Sequence, residues 1–158
     1  MSIQIASNVF EPDQGIPMKY TGEGDDLSPE LHWSDPPEGT RQWALLMEDP
    51  DAMGPEPWVH WMIYNIPTDA GSLDEGIDGG EHPYRFPETA QGRNSWGNSG
   101  YDGPMLPPGL GLHHYHFRIL ALDLERRLRP GLVRQQFLEA VAGHVIDEGE
   151  IVATYARH

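Results

Sequence analysis

Two separated segments of the chain carry carboxylates and imidazoles where proline- and glycine-rich sequence meets extended sequence. The first contains Asp49, Asp51 and His60, and the second contains His113 and Tyr115. Such junctions are where a rigid scaffold displays functional side chains. Aspartate and histidine together can hold an anion, orient an imidazole or transfer a proton near neutral pH. The spacing therefore predicts one small pocket to which both segments contribute.

The sequence gives little support for a metal-binding site. An EF-hand loop starting at Asp49 would place Met53 at a position that requires an oxygen ligand, and no helices are predicted to flank it. The triplet His113, His114 and His116 resembles a metal-binding cluster, but strand periodicity directs His113 away from the other two. The chain also has no cysteine, which excludes thiolate sites and disulfides. We expect no metal site.

The overall composition restricts the possible partners. The 158 residues include 25 acidic and 10 basic side chains, for a formal net charge of -15. This charge opposes binding to nucleic acid or to an anionic membrane surface. The segment Met1–Ile5 resembles no signal peptide, and no apolar run is long enough to cross a membrane. We expect a cytoplasmic protein that has no nucleic-acid partner and does not insert stably into a membrane.

Apolar alternation and frequent turn residues predict a mainly β domain. With 18 Gly and 15 Pro, the chain favours short strands and ordered loops. The predicted strands are 42–48, 58–66, 113–123 and 150–156, and the one predicted helix is 132–142. We expect one domain, residues 1–158, in which two packed antiparallel sheets carry one or two peripheral helices.

Strand periodicity also predicts which way the candidate residues face. In the second predicted strand, Val59 and Trp61 share the apolar face and His60 lies on the opposite one. In the third, His113 lies at the end of the apolar face that continues through Tyr115. The two histidines are therefore expected near large apolar groups.

A set of short motifs follows in a fixed order along the chain. They are Asp49-Pro-Asp-Ala52, Trp58-x-His-Trp61, Asn65-Ile-Pro67, Gly100-Tyr-x-Gly-Pro104 and His113-x-Tyr115. With these motifs the chain resembles the phosphatidylethanolamine-binding proteins, specifically the bacterial branch that is often labelled Raf kinase inhibitor-like. The resemblance implies two antiparallel sheets with peripheral helices. It also implies a small surface cavity that accepts phosphate, phosphoethanolamine-like groups or other small anions.

The resemblance assigns the ligand-binding residues and implies no cofactor. The family's pocket falls on Asp49, Asp51, His60, Pro107, His113 and Tyr115. In that pocket Tyr115 would offer a hydroxyl, and His113 would offer a donor that switches near neutral pH.

Four positions depart from the family pattern, and one of them, Gly22 in place of a frequent cysteine, concerns packing more than ligand choice. Met53 stands where proline is usual, His114 stands where arginine is common, and Pro108 stands where lysine is common. The last two changes remove cations expected at the rim, so they bear on ligand affinity.

The leading interpretation is a protein that binds a small anion or a phosphorylated headgroup, with a regulatory role as one option. The alternative is a hydrolase, cyclase or isomerase of a small metabolite that uses Asp49, His113 and His60 for acid/base catalysis. Ser95 and Ser99 lie outside a Gly-x-Ser-x-Gly motif, which disfavours a serine hydrolase. A deep pocket lined by tryptophans would favour an organic ligand, and a shallow polar notch would favour phosphate alone.

Association with other proteins is the third class of function. The sequence shows no extended basic or apolar patch that would identify a protein partner. The outward face of His114, His116 and Arg118 would suit a homodimer contact.

Overall fold

Antiparallel strands form most of the regular structure in residues 3–157, which are the residues that the computed structural model describes. The elements are β1 (Ile5–Ala6), β2 (Leu31–Trp33), β3 (Gln42–Asp49), β4 (Trp58–Ile66), β5 (Ser72–Leu73), β6 (Ala90–Gln91), β7 (His113–Leu122), α1 (Arg134–Val141) and β8 (Val145–Tyr155). A 3-10 turn covers Met18–Tyr20.

The strands form two sheets that share a hydrophobic core. The smaller sheet has the order β1-β2-β5, and the larger has the order β6-β4-β3-β7-β8. Apolar residues of both sheets meet in one cluster, which includes Leu31, Trp33, Met47, Trp61 and Phe117. The prediction of a mainly β protein with two antiparallel sheets and a peripheral helix is confirmed.

The opposite face of the larger sheet carries α1. Phe137 and Val141 of the helix pack with Leu46, Met62 and Tyr64 in a second apolar cluster. Because β3 lies between these two clusters, all eight of its residues are buried.

The predicted helix boundaries need a small correction. The helix begins at Arg134, two residues later than predicted, because Val133 has extended backbone angles and serves as the N-cap. The Gln136 side chain accepts a hydrogen bond from the Val133 backbone N–H at 3.1 Å. Val133 is 44% exposed and therefore does not belong to the buried stripe of the helix. Gly143 follows the helix with φ of +79°.

Because of a register shift between β3 and β4, His60 does not lie on the side of the sheet that strand periodicity predicted. Met47 pairs with Trp61, but the next residue, Glu48, pairs with Val59, so His60 has no opposite partner. The additional residue reverses the alternation at this point, as a β-bulge does. Val59 consequently joins the cluster beneath α1, whereas Trp61 lies between the sheets. The expectation that Val59 and Trp61 share a face is wrong.

The last strand is longer than the predicted 150–156. It begins at Val145 and pairs with β7 along nearly its whole length, from Leu122 opposite Val145 to His113 opposite Tyr155. Its first half is an exposed edge, where Val145 and Ile146 are 41% and 38% exposed. Apolar alternation cannot reveal such a segment because neither face is buried.

In the part of the chain that the structure describes, no helix is long and apolar enough to cross a bilayer.

Candidate functional site

A cavity of about 430 Å³ opens at the end of the larger sheet where β3 finishes and β4 and β7 begin. Its wall is formed by Asp49, Asp51, Ala52, Met53, Trp58, His60, Trp96, Met105, Leu106, Pro107, Leu110 and His113. The structure thus brings five of the six predicted binding residues together. The sixth, Tyr115, lies behind the wall.

A buried aspartate–histidine pair lies at the inner wall. The Nδ1 atom of His113 donates to Oδ2 of Asp49 at 2.6 Å, and their side chains are 10% and 2% exposed. The other Asp49 oxygen accepts the backbone N–H of Asp51 at 2.8 Å, which closes the turn after β3. With Nδ1 committed to Asp49, Nε2 of the His113 ring is the nitrogen that can accept or donate a proton.

His60 provides the second imidazole of the cavity. Its Nδ1 donates to the backbone carbonyl of Asp102 at 2.7 Å, so Nε2 is the acceptor of the neutral ring. Burial lowers the pKa of His60, and the Asp102 carbonyl and the Asp49 charge oppose that shift only in part. His60 is therefore a neutral acceptor at neutral pH.

Asp51 forms a separate pair at the rim. Its Oδ2 accepts hydrogen bonds from the backbone N–H and Nδ1 of His114, both at 2.8 Å. Partial burial raises the pKa of Asp51, but these hydrogen bonds and the histidine charges outweigh it and hold the pKa below its usual value. His114, which replaces the family's common arginine, thus forms a hydrogen-bonding partner for Asp51.

The outward face of β7 is engaged within its own chain. His116 lies 3.0 Å from Glu150, and Arg118 lies 3.4 Å from Glu48 and 3.2 Å from Glu148. A homodimer through this face stays a prediction.

Tyr115 supports the pocket from behind. It is fully buried, and its ring packs edge-on against His60 with centroids 5.2 Å apart. Its hydroxyl has no hydrogen-bond partner among the described residues. Burial, together with the charges of Asp49 and Asp51, raises the pKa of Tyr115 far above its ordinary value. The expectation that its hydroxyl faces a ligand does not match this placement.

Two tryptophans form one wall. Trp96 packs edge-on against Trp58 at 5.4 Å and against His60 at 5.1 Å, and it remains 43% exposed. The Asn94 side chain holds the turn by accepting the backbone N–H groups of Trp96 and Asn98 at 3.0 and 3.1 Å. The hydroxyl of Ser95 in the same turn accepts the Val59 backbone N–H at 2.7 Å, so it anchors the turn to β4.

The opposite wall comes from residues that pattern reasoning missed. Met105, Leu106 and Leu110 lie in an irregular segment without periodicity, and Met105 and Leu110 are 46% and 52% exposed. Met53, at the family's usual proline position, is 89% exposed at the mouth. The only available signal was the presence of large apolar residues in a proline- and glycine-rich loop.

The cavity wall contains no lysine or arginine among the residues described. Its ionisable groups are two aspartates and two histidines, and each aspartate has its own histidine or backbone donor nearby. Within residues 3–157, no group of three or more histidines and acidic residues is arranged to hold a metal ion. The site can therefore offer two imidazole nitrogens for hydrogen bonding and proton transfer.

Comparison with known proteins agrees with the motifs and with the fold. The profile of the family described as phosphatidylethanolamine-binding protein matches residues 6–156. A UPF0098 protein of Pyrococcus abyssi is 40% identical over 152 residues, which cover 96% of this chain and 84% of that protein. A UPF0098 protein of Methanothermobacter thermautotrophicus is 38% identical over 157 residues, with 98% and 99% coverage.

Solved structures show the same fold. The crystal structure of Escherichia coli YbcL, described as a member of the mammalian PEBP family, has a TM-score of 0.91 at 30% identity and covers 100% of both chains. A phosphatidylethanolamine-binding protein homologue from Chlamydia trachomatis has a TM-score of 0.86 at 33% identity and covers 99% of each chain. This chain therefore belongs to the phosphatidylethanolamine-binding protein family.

Proposed function

We propose that the cavity binds a small organic anion, with a phosphoryl or similar group at the two histidines. The observation that carries the proposal is the convergence of His60 and His113 on one cavity, each with Nδ1 bonded to a protein acceptor. Both rings are thereby oriented with Nε2 as the remaining polar atom.

We expect the bound phosphoryl group to carry one proton. A neutral His60 accepts from a P–OH group, while His113 with a second proton donates to a P–O⁻ group. The buried Asp49 carboxylate stabilises that imidazolium. The wall has no lysine or arginine among the residues described, so a phosphoryl group with one negative charge is favoured over one with two.

The apolar wall supports a ligand with an organic part. Trp58, Trp96, Leu106 and Pro107 surround the histidines, and pockets for organic ligands have this balance of apolar wall and few polar groups. A bare phosphate ion would leave these surfaces in water. We therefore expect a phosphomonoester to bind more tightly than phosphate does.

Calorimetric titration with phosphate, O-phosphoethanolamine and sulfate tests the proposal. Phosphomonoesters lose their second proton near about pH 6, so their binding is expected to weaken as the pH rises and to take up protons from the buffer. Sulfate, which has no proton to donate to His60, is expected to bind more weakly than phosphate at about pH 6. His113→Gln should abolish binding, whereas His32→Gln, at a half-buried position on β2 outside the cavity, should not. Absence of binding, or equal affinity for sulfate and phosphate, would overturn the proposal.

A second function is favoured by one feature, the 2.6 Å contact between Asp49 and His113. A carboxylate that fixes the histidine tautomer leaves Nε2 able to act as a general base. In this role Nε2 of His113 would take the proton of a water molecule or a substrate hydroxyl and return it to the leaving group, while neutral His60 would accept a hydrogen bond from the substrate. Release of phosphate from a panel of phosphomonoesters, compared between the wild type and His113→Gln, distinguishes turnover from binding alone.

A further inference from the structure

Three arginines lie close together on the loop between β7 and α1. Arg126, Arg127 and Arg129, here called the arginine loop, line a cavity of about 450 Å³ whose wall also includes Leu132 and Gln136. All three arginines are exposed. This cavity shares no residue with the histidine pocket.

Within residues 3–157, the guanidinium groups of the arginine loop are not paired with carboxylates. Among the described residues none of the three arginines forms a salt bridge, whereas Lys19, Arg118 and Arg134 each pair with a carboxylate. The only protein acceptor of the three guanidinium groups within residues 3–157 is the Glu88 backbone carbonyl, 3.3 Å from Arg127. In a chain with 25 acidic and 10 basic residues, carboxylates are abundant. Three adjacent unpaired arginines are therefore a local excess of positive charge.

Buried side chains hold the loop in one conformation. Gln42, Tyr64 and Asn65 reach from β3 and β4 to the backbone of residues 124–129, with hydrogen bonds of 2.8 to 2.9 Å. Gln42 and Asn65 are 7% and 9% exposed, and Tyr64 is fully buried. A loop that is already ordered loses little entropy on binding.

We propose that the arginine loop binds a diphosphate group of a small metabolite. Guanidinium groups bind phosphoryl oxygens through paired, charge-assisted hydrogen bonds. A small ligand also agrees with the net charge of -15, because charges beyond the Debye length of about 8 Å are largely screened. A nucleic acid or an anionic membrane would lie against the acidic surface as well and would be repelled.

Titration with inorganic diphosphate, followed by calorimetry and by backbone amide shifts, tests this site. Saturable shifts are expected at residues 124–132, and Arg126→Gln or Arg129→Gln should each weaken binding by at least about tenfold, as expected for the loss of a charge-assisted hydrogen bond. Arg85→Gln removes the same charge from an exposed arginine elsewhere and should leave the affinity unchanged. Glu139 contributes a carboxylate to the same wall, so Glu139→Gln should tighten binding.

The Arg85→Gln and Glu139→Gln variants distinguish binding at the arginine loop from misfolding and from general attraction to positive charge. The Glu139→Gln result is a gain that misfolding cannot produce. Equal weakening by Arg85→Gln and Arg129→Gln would show general attraction to positive charge and would overturn the site. Shifts confined to His60 and His113, or no saturable binding, would overturn it as well.

Discussion

Replacement of Asp49 by asparagine tests the histidine pocket at its most buried charge. The asparagine keeps the shape of the side chain and the acceptor for the Asp51 N–H, but it presents an NH₂ group to Nδ1 of His113. The ring must then accept at Nδ1 and carry its proton on Nε2. No carboxylate remains in contact to stabilise the imidazolium.

The expected magnitude follows from the burial of the pair. A hydrogen bond to a charged group contributes about 1.5–3 kcal/mol, which corresponds to about 10- to 150-fold in affinity. Because the two side chains are only 2% and 10% exposed, salt screens the interaction little. Asp49→Asn is therefore expected to weaken phosphate binding at about pH 6 by about 10- to 100-fold. It is also expected to lower the free energy of unfolding by about 1–3 kcal/mol.

The assay is phosphate calorimetry together with urea unfolding of each variant. Asp51→Asn is the matched control, since Asp51 and His114 have side chains 41% and 48% exposed and such pairs contribute about 0–1 kcal/mol. We expect that control to change phosphate affinity by less than about fivefold. A folded Asp49→Asn protein that binds phosphate as tightly as the wild type would refute the role of the buried pair.

Three further variants test other parts of the structure. Tyr115→Phe removes a buried hydroxyl without a hydrogen-bond partner among the described residues. Urea unfolding should therefore show a free energy of unfolding that is unchanged or raised by up to about 1 kcal/mol. A lower free energy of unfolding would contradict this expectation. The pKa of His60 is lowered in the folded protein, so below about pH 6.5 this histidine binds more protons in the unfolded state than in the folded state. The free energy of unfolding of the wild type should therefore fall on acidification by up to about 1.4 kcal/mol per pH unit. His60→Phe should lack that component, and identical pH slopes would contradict the assignment. Phe137→Ala should cost about 3–5 kcal/mol because Phe137 is fully buried, whereas Leu112→Ala, 56% exposed, should cost far less in the same unfolding experiment.

The long strands could be predicted because burial imposes a simple period on them. The predicted bounds 58–66 match β4, and the predictions for β3 and β7 each differ by one residue at one end. The same period placed His113 correctly on the face shared with Tyr115 and Phe117. Periodicity works here because a strand with one face in the core must alternate.

Periodicity failed where the backbone departs from regular pairing. The register shift opposite Glu48 placed Val59 and Trp61 on opposite faces of the sheet, because one additional residue reverses a period of two. The start of β8 was missed because Val145 and Ile146 lie on an exposed edge. Neither the register shift nor the exposed start of β8 can be recognised from local composition.

The sequence by itself determined the family, the two-sheet architecture and five of the twelve residues that line the pocket, namely Asp49, Asp51, His60, Pro107 and His113. These follow from short motifs and from apolar alternation, which are local properties of the chain. Tertiary structure alone decided which hydrogen bond fixes each imidazole, that Tyr115 lies behind the wall, and that Met105 and Leu110 form part of it. It also decided that three arginines beside one cavity form no salt bridge within residues 3–157. Such contacts join residues far apart in sequence, so no local pattern encodes them.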